Sequence, residues 1–119
     1  MNTHVYDRSR AERLVPLLQS ILRELRERQE AIAGLENLIE QRQRGTGRES
    51  NADLLLIQLA EHNQGERDAL RELALLGCAL DDDYPMRVLI PGDDGKFAGG
   101  FSFDAVSGAL EELKVAGAR

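Results

Sequence analysis

The sequence is short of the residues that most often announce a function. Its one cysteine, Cys78, excludes an internal disulfide and a four-thiolate zinc cage. There is no tryptophan and aromatics are 4% of the chain, so the core has to be aliphatic. Basic residues are outnumbered, 15 against 21 acidic, for a formal charge of −6. That balance argues against a protein that coats nucleic acid, which needs a dominant basic face. Apolar runs are short: Leu54-Leu55-Leu56-Ile57 falls far below the roughly 20 residues that span a bilayer. Residues Met1 to Arg8 show no apolar leader segment, so the expected compartment is the cytoplasm and no membrane partner is expected. No internal repeat, no Gly-x-Ser-x-Gly and no persuasive acid–base pair is present.

What is there suits a folded domain: 119 residues, 42% apolar and 30% charged, read as a single domain over 1–119. Residues 8–77 read as a long antiparallel helical hairpin. After a short strand at His4-Val5-Tyr6, Asp7 or Ser9 can cap a helix. Apolar residues then fall at Leu14, Leu18, Ile21, Leu25, Ile32, Leu35 and Ile39, the spacing of a coiled-coil seam. Arg28 occupies the missing seam position, and Pro16 predicts a kink or a fresh helix start. The segment from Arg44 to Asn51, with Gly45 and Gly47, is a loop, and Ser50 or Asn51 can cap the second helix. That helix carries Leu55, Leu56, Leu59, Leu70, Leu73 and Leu76 and stops at Gly77.

Residues 78–119 read as a small antiparallel β-hairpin and a short C-terminal helix, with the N-terminal strand as an optional third member. The strands are Arg87 to Ile90 and Phe97 to Phe103, and Asp104 caps the helix through Leu113. The expected fold class is therefore α+β, mainly α.

Three constellations bear on function. In antiparallel register Arg28 falls opposite the stretch around Glu66, where His62, Asn63, Gln64, Gly65 and Glu66 interrupt the second apolar stripe. Arg28, His62 and Glu66 thus form a polar layer, and an Arg in such a seam calls for a carboxylate partner. His62 and Glu66, four apart on one helix face, are also metal-ligand candidates, though His62 lacks the Glu three positions earlier that di-metal bundles use. Second, Ile32, Leu35, Leu38, Ile39, Leu55 and Leu59 offer more apolar surface than a two-helix hairpin can cover, which predicts an interface and a homodimer. Third, Arg42, Arg44 and Arg48 make a basic patch at the hairpin tip that suits an anionic or nucleic-acid partner. The Asp81-Asp82-Asp83 and Asp93-Asp94 clusters do not match a calcium loop. Gly95-Lys96 lies where a strand follows, so it reads as a turn and not a phosphate loop.

The order of parts resembles a bacterial domain-of-unknown-function family, number 2203. The likeness rests on Val5-Tyr6-Asp7 followed by Ala11-Glu12-Arg13-Leu14-Val15-Pro16-Leu17-Leu18, then Leu76-Gly77-Cys78-Ala79-Leu80 and Leu89-Ile90-Pro91-Gly92. Where that family's last strand carries Cys-Trp and Gly-Glu, this chain has Phe101-Ser102-Phe103. The resemblance implies a bacterial source and carries no activity. The reading is a non-enzymatic cytoplasmic interaction or scaffold protein that homodimerises through its hairpin, with no cofactor. The alternatives are a small enzyme or metal-binding protein centred on Arg28, His62 and Glu66, and anion contact through the tip arginines.

Overall fold

The computed structural model describes residues 5–44, 52–84 and 86–113. Its elements run α1 (Arg8–Arg44), α2 (Ala52–Leu75), β1 (Ala79–Leu80), β2 (Arg87–Ile90), β3 (Phe101–Asp104) and β4 (Ala109–Glu112). The fold is mainly helical α+β, two helices followed by a four-stranded antiparallel sheet in the order β1-β2-β3-β4.

Both helix ends within the described residues follow from local chemistry. Asp7 caps α1: its Oδ1 accepts the Arg10 amide at 2.8 Å and its carbonyl the Ala11 amide at 2.9 Å. The helix then runs 37 residues without a break, straight through Pro16. Pro16 lies exposed in the third turn, so its ring and lost hydrogen bond are accommodated at the helix surface, and no fresh start occurs there. Gly77, at φ 81°, ends α2. Its amide bonds Ala74 O at 2.9 Å and the Cys78 amide bonds Leu73 O at 3.0 Å, the paired closure that only a left-handed residue permits. The cap at Ser50 or Asn51 lies outside the described residues, as does Arg48.

The described chain divides into two compact units, one formed by the residues up to Leu22 and those from Arg71 onward, the other by Arg23–Leu70. The first unit holds most of the buried apolar side chains. Ala11, Leu14, Leu18, Ile21 and Leu22 of α1, Leu73 of α2 and Val88, Ile90, Phe101 and Phe103 of the sheet are buried. Strand register explains the sheet's share, since Val88 pairs with Phe103 and Ile90 with Phe101, which puts all four on one face. Tyr6 joins this unit by donating its hydroxyl to Leu76 O at 2.9 Å, satisfying a carbonyl the helix end leaves open.

Three expectations for the C-terminal part are corrected. The C-terminal helix is instead strand β4. Asp104 accepts the Val106 amide at 2.9 Å and the Gly108 amide bonds Asp104 O at 2.7 Å, so one turn forms, and Gly108 at φ 76° then reverses the chain. A left-handed Gly108 does not continue a helix, whereas a strand sets Leu110 beside Phe103. The returning strand is shorter than expected, beginning at Phe101. Phe97 to Gly100 form a turn, closed by the Gly100 amide on Phe97 O at 2.8 Å, and Phe97 is exposed. Finally, Val5 to Asp7 form no strand, and the extra sheet member is Ala79–Leu80.

Candidate functional site

The unit Arg23–Leu70 carries both the polar layer and the candidate interface. Its level is set by contacts between the two helices. Arg28 donates from Nη1 to His62 Nδ1 at 3.0 Å, and Gln29 donates from Nε2 to Glu66 Oε2 at 3.2 Å. An arginine can only donate, so His62 accepts at Nδ1 and carries its proton on Nε2. The antiparallel pairing of Arg28 with the stretch around Glu66 is thus as the sequence implied. The carboxylate partner that an Arg in the seam calls for is also present, on Arg28's own helix. Arg28 Nε bonds Glu24 Oε2 at 2.7 Å, one turn back on its own helix, while Glu66 is taken by Gln29. A partner four residues away costs less side-chain ordering than one across the seam, and the i, i+4 spacing is the signal that identifies it.

Gly65 is the residue whose role the spacing alone does not reveal. A Cβ placed there would lie 2.5 Å from Arg28 Cζ and 2.9 Å from Cδ, and would overlap Nε. The glycine is the notch over which the guanidinium lies. The interruption of the second apolar stripe is therefore a fitted polar layer, in which a missing side chain matters as much as those present.

Beyond this layer, towards Arg44 and Ala52, burial is shallow. Among the described residues of the unit, Leu25 and Ala69 are its buried apolar side chains. Ile32, Leu35, Ile39, Leu55 and Leu59 are only half-buried, although they carry the seam. Leu38 is 45% exposed, Leu54 54%, Leu56 51% and Ile57 56%. Leu54 to Ile57 are consecutive, so they turn apolar side chains to every side of α2, an arrangement typical of a helix that is surrounded.

The remaining candidates have local roles. Arg44 pairs with Glu40 on its own helix at 2.8 Å, and Arg42 is half-buried. Asp81 accepts the Asp83 amide and Asp94 the Lys96 amide, each at 2.9 Å, which makes both acidic clusters turn formers. Among the described residues no group of three His, Cys, Asp or Glu side chains is placed to hold a metal ion, and His62 and Glu66 engage different partners. No helix among them is long and apolar enough to cross a membrane. Cys78 is buried with Sγ 3.9 Å from Leu76 O, and burial pushes its thiol up to about 12, which disfavours the nucleophilic thiolate. Arg87 stacks on Tyr84, 4.0 Å from guanidinium carbon to ring centroid, and its buried Nε has no hydrogen-bond partner among the described residues.

Compared with known family models, with curated proteins and with solved structures, the chain finds no match in any of the three.

Proposed function

We propose that this chain is a non-enzymatic interaction or scaffold protein that forms a homodimer through the part of its helical hairpin between Arg23 and Leu70. One observation carries the reading. That unit pairs two helices yet leaves nearly all its apolar side chains half-buried or exposed, with Leu38, Leu54, Leu56 and Ile57 each close to half accessible. Apolar side chains left this open mark a surface that something covers. A second copy completing a four-helix bundle is the simplest cover, because closed two-fold pairing needs one self-complementary patch and no further gene product. The kinship with family 2203 remains a proposal carried by the short motifs quoted above. The cytoplasm is the compartment we assign, with which a lone free thiol is in keeping.

Light scattering across a dilution series tests the reading. The expected molar mass is twice that of the chain, falling toward one chain on dilution. A species that stays at the mass of one chain at every concentration while keeping its helical signal would overturn it. Ile32→Asp, which puts an unpaired charge into a half-buried seam position, is expected to abolish the dimer.

A further inference from the structure

The hairpin has two flanks, and the dimer reading by itself does not say which one a second copy covers. We infer that it covers the flank on which Arg28 lies over Gly65, through Ala31, Leu35 and Leu38 of α1 and Leu54 and Ile57 of α2. The inference rests on the dimer reading above and adds the location of the interface.

The Arg28–Gly65 contact identifies this flank on both helices at once. On α1, Ala31 and Leu35 follow Arg28 by three and seven residues, and Leu38 follows Ala31 by seven, so all lie along one side at helical spacing. On α2, Leu54 precedes Gly65 by eleven residues, about three turns, which returns it to the same side. The contacts of Arg28 with His62 and of Gln29 with Glu66 fix the antiparallel level. Carried ten residues along α1 and as many back along α2, that level sets Leu38 beside Leu54. The two therefore share a flank and a height, and both are about half exposed, 45% and 54%. Ile57, three residues from Leu54, extends the patch along its outer margin. Leu56 lies nine residues before Gly65, half a turn out of phase, and so faces the other flank.

Size and charge both favour a second copy as the occupant. From Arg23 to Arg44 the flank is about 33 Å long and about 20 Å wide across two helices. Its face of roughly 600–700 Å² approaches the roughly 800 Å² that each partner gives to a stable interface. Its margins carry both signs, Glu24 with Arg28 at one end and Arg42 at the other, with Glu61 alongside. Two copies laid flank to flank therefore meet no block of like charge, whereas a strongly charged partner would find no complementary field.

The test uses the full chain and three residues that are already half exposed, so that a charge at any of them is tolerated by the subunit itself. Leu38→Glu, Leu54→Glu and Leu56→Glu are compared with the unaltered protein by light scattering, with circular dichroism to confirm that each variant keeps its helices. The expected result is that Leu38→Glu and Leu54→Glu halve the molar mass and Leu56→Glu leaves it unchanged. If Leu56→Glu dissociates the dimer, or Leu38→Glu and Leu54→Glu do not, the assignment of the flank is overturned while the dimer stands. If the unaltered protein is itself a monomer, the dimer reading fails and this inference fails with it.

Discussion

At the level of single residues, Gly65 and Cys78 each have a measurable effect on stability. Gly65 sits inside α2, where alanine ordinarily stabilises a helix by about 1 kcal/mol over glycine. Here the added methyl would displace Arg28 from its bonds to Glu24 and His62. Gly65→Ala is accordingly expected to yield none of that gain in the unaltered protein and most of it, about 1 kcal/mol, in an Arg28→Ala background. Denaturant unfolding of the four proteins of the cycle measures this, and additive effects would contradict the notch. Cys78 makes a prediction about pH. Burial holds its thiol up at about 12, so the folded protein keeps a proton that the unfolded chain releases at the ordinary thiol value. Stability from this group is complete below that ordinary value and is lost as pH rises from it toward about 12. Tyr6 adds to the trend, its hydroxyl raised first by burial and then by Cys78, against a lowering from Arg10. Cys78→Ala is expected to flatten the alkaline fall in melting temperature, and an unchanged slope would count against the assignment.

At the level of elements, termini were more legible than interiors. Asp7 acts through its carboxylate on the Arg10 amide and Gly77 through its left-handed backbone, so their roles follow from residue type and neighbours. Asp7→Ala is expected to cost about 1 kcal/mol of unfolding free energy, with the loss localised by amide exchange to the first turn of α1. Equal exchange throughout that turn would refute the cap. The segment after Asp104 was misread because local propensity was taken to outweigh context, and context is also why no fresh helix starts at Pro16. A surface proline is carried by a 37-residue helix already tied down at Ala11, Leu14, Leu18 and Leu22. A weak helical segment becomes a strand when Phe103 offers Leu110 a neighbour in the sheet.

For the whole molecule, periodicity exposed the hairpin and its interrupted stripe but left the depth of burial unspecified. The seam positions Leu18, Leu25, Ile32 and Ile39 share one spacing, yet the first two are buried and the last two only half so. The same holds for the polar layer. Arg28 and His62 could be matched by counting residues, while the choice of Glu24 over Glu66 depended on which carboxylate the guanidinium reaches with the least loss of side-chain freedom. In the sequence the run Leu54 to Ile57 was too short to span a bilayer and supplied Leu55 and Leu56 to the second apolar stripe. Its half-exposed state, on which the proposed dimer rests, emerged with the fold.

The order of residues along the chain was sufficient to determine two antiparallel helices, the level at which they pair, and where each described end closes, because spacing and capping are local properties. Tertiary structure decided that the last described segment is a strand, that Gly65 makes room for Arg28, and that the apolar stripe between Arg23 and Leu70 stays largely uncovered among the described residues. Those outcomes depend on which surfaces meet in space, and a one-dimensional pattern does not contain that information.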